Sequence, residues 1–209
     1  MRLPIALITA LSLLACERET GEPLVATPAP ASAAAPATAS TPASTSSMQV
    51  PVVTLDGENV DIAFAGQKLR GEIRDNGKRK YSLEGGSTAW EVKPGDDGGF
   101  KLRTADGRLR WKVKVAPDKI KISDNEENQN PYELKVREGG RVKVVGPGEK
   151  ELGNVRFAGT KIEVENAAGV KQFEVSATAA SGAYGVLLLE AIPAQERAIL
   201  IAEILARGR

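Results

Sequence analysis

No histidine occurs in the 209 residues of the chain, and only one cysteine does. Without imidazole there is no Ser-His-Asp or Cys-His nucleophilic site, no imidazole acid/base catalysis and no His-ligated zinc or haem. A single thiol excludes an internal disulfide, a Cys-x-x-Cys redox pair and a thiolate metal cage. Aromatic residues make up only 4% of a chain whose hydrophobic fraction is an ordinary 42%, so part of that apolar content, much of it alanine, lies outside a packed core. Charges of the two signs nearly cancel, 28 basic against 27 acidic, which leaves no overall basic excess to hold a nucleic acid. No phosphate-loop motif or activated nucleophile is present, and no carboxylate pair is distinguished as a glycosidase pair would be. The expectation is a non-catalytic protein without cofactor or metal, and with no nucleic-acid partner.

What is present begins at the N-terminus. Arg2 is followed by an apolar run from Leu3 to Leu14, then Ala15 and Cys16. A run of about 12 residues falls short of the roughly 20 that span a bilayer as a helix, so residues 1–15 read as a secretory signal peptide. Leu13-Leu14-Ala15-Cys16 resembles the lipobox of bacterial lipoproteins, with the one cysteine of the chain where the motif requires it. That resemblance implies a diacylglyceryl thioether on Cys16, usually with a third acyl chain on its amine, and hence a membrane partner. Several acyl chains, at about 0.8 kcal/mol per buried CH₂, make a stable anchor. It also implies a bacterial cell-envelope location. Glu17 stands where an aspartate often retains such proteins at the inner membrane, and so favours the outer one.

Residues 26–47, ATPAPASAAAPATASTPASTSS, contain only Ala, Pro, Ser and Thr. They have no large apolar groups to offset the entropy of ordering, and their prolines interrupt helix. Residues 16–49 therefore read as a lipidated start followed by a disordered tether, reaching at most about 70 Å if fully extended as polyproline II.

From residue 50 the period changes to two. In Arg108–Val115, Leu109, Trp111, Val113 and Val115 alternate with Arg108, Arg110, Lys112 and Lys114, a pattern that fits a strand and not a helix. Roughly a dozen such runs lie between residues 51 and 177, bounded by turn residues. Four of them form a repeated hairpin unit, EIRDNGKRKYSL, KLRTADGRLRWKV, LKVREGGRVKVV and IEVENAAGVKQFEV. Their turn glycines, Gly77, Gly107, Gly140 and Gly169, are spaced by 30, 33 and 29 residues. Residues 183–206 then lose the alternation and read as two helical pieces, with Pro193 in the first turn of the second and Gly208 just past its end. The second piece is apolar around most of its circumference, while Glu190, Gln195, Glu196, Arg197 and Glu203 argue against a membrane span. Residues 50–209 are thus expected to form a mainly β domain, an antiparallel closed barrel of about twelve strands around a hydrophobic C-terminal helix.

The Lys/Arg-decorated hairpin KLRTADGRLRWKVK, the later LGNVRFAGTKIEVENAAG and the terminal apolar helix together resemble the tubby C-terminal and LURP-one-related fold over residues 60–206. That family is a closed barrel wrapped about a hydrophobic C-terminal helix, and its eukaryotic members bind phosphoinositides through basic side chains on the barrel surface. The resemblance carries no headgroup-binding motif onto particular residues here.

Between residues 99 and 123 stand Lys101, Arg103, Arg108, Arg110, Lys112, Lys114, Lys119 and Lys121 against only Asp106 and Asp118. Spaced by two on strands, they are expected to share the face opposite the core and to form a stripe for anionic groups. Anionic lipid headgroups or an envelope glycan or protein are the partners such a face would take, whereas exposed strands also carry lysine merely to discourage edge aggregation. Trp111 reads as core. Asp124, Asn125, Glu126, Glu127 and Asn128 lack the spacing of a calcium loop and read, like Asp96 and Asp97, as solvated turns. Two functions remain open: a binding module with a basic outer face, and a structural or assembly accessory that serves a protein partner only.

Overall fold

The computed structural model describes residues 49–176 and 180–208. The signal peptide, Cys16 and the Ala/Pro/Ser/Thr tether lie outside the described residues.

The domain is mainly β. Thirteen strands follow one another in a single antiparallel sheet whose spatial order is the sequence order. They are β1 (Val52–Asp56), β2 (Asn59–Phe64), β3 (Gln67–Ile73), β4 (Arg79–Leu83), β5 (Thr88–Pro94), β6 (Phe100–Thr104) and β7 (Leu109–Val115), then β8 (Lys119–Ser123), β9 (Tyr132–Val136), β10 (Val142–Val145), β11 (Glu151–Ala158), β12 (Lys161–Asn166) and β13 (Lys171–Ser176). The four repeated hairpins are β3–β4, β6–β7, β9–β10 and β12–β13, and one strand separates each from the next. Their turn glycines all have positive φ, between 72° and 86°, the conformation a tight hairpin turn asks of glycine.

A 3₁₀ segment (Gly182–Leu188) and the helix α1 (Ala194–Ala206) complete the chain. The first of the two expected helices is thus corrected to a 3₁₀ turn. Gly185 there lies so close to β9 and β10 that an added Cβ would stand 2.9 Å from Val144 and 3.1 Å from Leu134. Pro193 is the N-cap of α1, one position earlier than expected, and Gly208 follows its end with φ of 69°.

Every residue of α1 from Glu196 to Ile204 is buried. A helix with no exposed side must be covered from all directions, and the inner face of the sheet and the 3₁₀ segment supply that cover. Inward residues of successive strands, Val60 and Ile62, Leu69, Tyr81, Val92, Leu102, Val113, Ile122 and Leu134, join Ile199, Leu200 and Ile201 in one apolar core. The 3₁₀ segment adds Val186 and Leu187 to that core and packs against β9–β12. Among the described residues the hydrogen-bonded order ends at β1 and β13, each with a single neighbour.

The charged residues of the helix are buried with it and hold it in place. Glu203, fully enclosed, accepts hydrogen bonds from Tyr81 Oη at 2.7 Å and Arg79 Nη1 at 2.6 Å, and pairs with Arg207. Gly71 lies directly opposite Tyr81, where a Cβ would stand 2.5 Å from the Tyr81 ring, so only glycine lets the phenol lie across β3. At the other end, Glu196 accepts from Arg110 Nε at 2.8 Å and from the Trp111 indole. Burial, and then the Glu203 carboxylate, push the Tyr81 phenol well above its usual pKa of 10, so it remains a donor.

Glu203→Ala, which strands a mostly buried Arg79, is expected to cost about 3–5 kcal/mol of folding stability in urea unfolding, against about 1.5–3 kcal/mol for Tyr81→Phe. A raised phenol pKa in the folded state stabilises below pH 10 and loses that contribution as pH rises further. The alkaline decline of the urea midpoint should therefore be shallower in Tyr81→Phe than in the parent.

Candidate functional site

The core dictates what the outside of the sheet presents. Because successive strand residues face opposite ways, fixing Phe100 opposite Val113 and Leu102 opposite Trp111 puts Lys101 directly opposite Lys112 on the outer face. The same logic puts Lys93 opposite Lys101, which makes a ladder of three lysines across β5, β6 and β7. Lys114 stands opposite Lys121. Lys119, Lys135 and Lys143 form a second three-lysine ladder across β8, β9 and β10. Strands β5–β10 together hold ten basic residues and only two acidic ones, Glu91 and Glu133.

Like charges directly opposite one another destabilise a sheet. Elsewhere opposite charges mostly face one another: Asp61 faces Arg70, Glu72 faces Lys80, Lys80 faces Glu91 and Arg156 faces Glu163, although Glu163 also faces Glu174 across β12 and β13. Protection of an edge does not explain the lysines either, since β5–β10 are interior strands of the sheet.

Of the eight residues expected from the sequence, six lie on this face. The other two correct the expectation. Arg108 sits in the β6–β7 turn and pairs with Asp106 at 2.8 Å. Arg110 reaches Glu196 of the buried helix, next to a register shift at Leu102 and Arg103 that re-aims the strand. Lys101 Nζ and Arg103 Nη2 bind the Glu126 carboxylate at 2.6 Å and 2.9 Å, with Lys112 Nζ at 3.9 Å. Lys121 and Lys135 share Glu133 at 2.8 Å and 2.7 Å. Lys143 pairs with Glu151 at 2.6 Å. Among the described residues, Lys93, Lys114 and Lys119 have no ion-pair partner.

Glu126 stands in an exposed turn, as expected, and its carboxylate also closes on the basic face. Hydrogen bonding from Lys101, then the charges of Lys101, Arg103 and Lys112, hold its carboxyl below the ordinary range. Lys121 and then Lys135 do the same for Glu133, and Glu133 in turn raises the Lys135 ammonium. Trp111 is buried as expected, and its indole also donates to the helix. A mostly apolar cleft of about 250 Å³ opens beside Lys119, between Ala116, Pro117, Val136 and Phe157, with Val136 48% exposed.

Sequence reasoning missed Lys93, Lys135 and Lys143. Each occupies an outward position in an alternating run, AWEVK, YELKV or RVKVV, but the cross-strand register that aligns them is not a local signal. Among the described residues no group of three or more carboxylate or thiol side chains is placed to hold a metal ion, and no helix is long and apolar enough to cross a membrane.

Comparison with known proteins adds little. No protein-family model matches the chain, and no curated protein does. Among solved structures, a Japanese Marasmius oreades lectin aligns at 18% identity over 43% of this chain and 73% of that one. Its TM-score of 0.15 does not amount to a shared fold.

If the ladders are held against their own repulsion, relieving it should stabilise the fold. Lys93→Glu, which sets a carboxylate opposite Lys101, and Lys119→Glu, opposite Lys135, are each expected to raise stability by about 0.5 kcal/mol, read as a higher urea midpoint. Lys80→Glu, which would face Glu72 and Glu91, should lower it.

Proposed function

We propose that the chain is a bacterial envelope lipoprotein, anchored through lipid on Cys16, whose β domain is a non-catalytic binding module for anionic lipid headgroups. The observation that carries this reading is the pair of lysine ladders, set on interior strands where they cost stability. The apolar cleft beside Lys119 favours a lipid over a wholly polar glycan, since it offers cover to hydrocarbon next to a cation. Lys93, Lys114 and Lys119, without ion-pair partners among the described residues, are the cations most available to headgroup phosphates. The tether of residues 26–47 is long enough for the domain to meet the surface that holds its own anchor, and Glu17, in place of a retaining aspartate, favours the outer membrane over the inner one. The architecture is read as a barrel filled by α1, a reading supported by the burial of the helix on every side.

Residues 50–209 hold the whole described core, which makes them the natural test piece. They should co-sediment with vesicles containing phosphatidylglycerol at low salt, and should be released at high salt as the attraction is screened. At about 1 kcal/mol per lysine near an anionic surface, the triple variant Lys93→Gln, Lys114→Gln, Lys119→Gln should bind roughly a hundredfold more weakly. Equal retention on neutral vesicles, or retention indifferent to salt, would overturn the proposal.

A further inference from the structure

Three cations converge on one carboxylate at the centre of the basic face, and the carboxylate belongs to a loop. Lys101 has lysines on both sides in its ladder, Lys93 and Lys112, so no acidic residue of the ladder offers it a counter-charge. The counter-charge comes from Glu126, in the loop between β8 and β9. That loop has its own scaffold: Asn125 Oδ1 accepts from the Gln129 N–H at 2.7 Å, Asn125 Nδ2 donates to the Gln129 carbonyl at 2.9 Å, and Ser123 Oγ donates to Asn128 Oδ1 at 2.7 Å. Lys112 also holds the loop through the Glu126 main-chain carbonyl, so none of these bonds uses the Glu126 carboxylate. The Glu126 side chain is 44% exposed, while those of Lys101, Arg103 and Lys112 are 34%, 26% and 20% exposed, so the carboxylate lies over the cations as an outer cover.

A carboxylate also fits this site incompletely. Its two oxygens are taken up by Lys101 at 2.6 Å and Arg103 at 2.9 Å, while the Lys112 ammonium, 3.9 Å from the carboxylate, donates instead to the Glu126 main-chain carbonyl. A tetrahedral oxyanion has a further oxygen to offer, and the excess of three positive charges over one negative matches a dianion better than a monoanion. We infer that Lys101, Arg103 and Lys112 form a site for a phosphate monoester group, and that Glu126 is a tethered substitute that the phosphate displaces. This rests on the anion-binding reading of the same face and adds to it a ligand class and an internal competitor.

The test uses residues 50–209 with two probes, inorganic phosphate by calorimetry and vesicles containing phosphatidic acid by co-sedimentation. Glu126→Gln removes the competitor and should tighten binding about fivefold, a gain of the size that loss of a partly exposed ion-pair network supports. Glu127→Gln removes the same charge from the same loop, at an exposed residue with no cation partner among those described, and should change affinity less than about twofold. Lys101→Gln in the Glu126→Gln background should abolish the gain. Equal urea midpoints for the two loop variants would show that folding is not the cause. Tightening toward inorganic phosphate assigns the free anion as a sufficient ligand; tightening toward phosphatidic acid vesicles alone assigns the lipid headgroup. If the parent binds anionic vesicles but Glu126→Gln and Glu127→Gln do not differ, the inference fails and the proposed function stands. If neither the parent nor Glu126→Gln binds either probe or phosphatidylglycerol vesicles, both fail together.

Discussion

The enclosed helix is the constraint from which the rest of the structure follows. From Glu196 to Ile204 its residues are apolar or internally paired on every side, so it is stable only if something surrounds it. A long antiparallel meander can do so by curling, and the uninterrupted sequence order of its strands is the simplest path for a chain that must wrap as it goes. The buried charges do a different job from the apolar contacts. Ion pairs taken out of water contribute little net stability, but each one broken is costly, so they act as alignment marks. Glu203 binds β4 through Arg79 and Tyr81, Glu196 binds β7 through Arg110 and Trp111, and together they fix which end of the helix meets which strand.

Charge on the outer face follows two rules in different parts of the sheet. From β2 to β5 acid and base alternate across strands, Asp61 with Arg70 and Glu72 with Lys80 and then Glu91, as a face under no demand but stability would arrange them. From β5 to β10 lysine meets lysine in three rows, Lys93–Lys101–Lys112, Lys114–Lys121 and Lys119–Lys135–Lys143, while Arg103 still faces Glu91 and Lys121 still faces Glu133. Glu133 on β9 pairs with Lys121 and Lys135 from within the face; the other acids come from loops and neighbouring strands: Glu126, Glu149 and Glu151. Their side chains are 44%, 78% and 41% exposed, so they neutralise the face from its rim and can be drawn away without disturbing the core.

Local pattern made much of this legible in the sequence. The alternation of Arg108–Val115 gave β7, the glycines at 77, 107, 140 and 169 gave four hairpins, and the apolar run after Pro193 gave the buried helix. Each depends on a short stretch of neighbours, where period and turn chemistry speak directly. Gly182–Leu188 was harder, because its 3₁₀ form reflects the closeness of Val144 and Leu134 to Gly185, a tertiary fact. The site was legible by composition and not by arrangement. Six of the eight expected cations lie on one face, but Arg110 was claimed by Glu196 from 86 residues away. Glu126 looked like any solvated turn residue until the fold placed it on Lys101 and Arg103.

Register is where core and surface become one problem. The rows that create the ladders are set by the inward pairs between them: Val92 with Leu102, Phe100 with Val113, Val113 with Ile122, Ile120 with Leu134 and Val144 with Leu134. A slip of one residue at any of these would turn the lysines inward and the aliphatic residues outward, a cost no surface interaction can match. The basic face is therefore held as rigidly as the core beneath it. With strands about 4.8 Å apart, the rows from β5 to β10 cover roughly 24 Å of sheet. An anionic ligand meeting them has little backbone left to order, and its binding is limited chiefly by side-chain freedom and by the acids at the rim. That places control of the face in the loops, Glu126 first among them, and leaves the sheet as the fixed support.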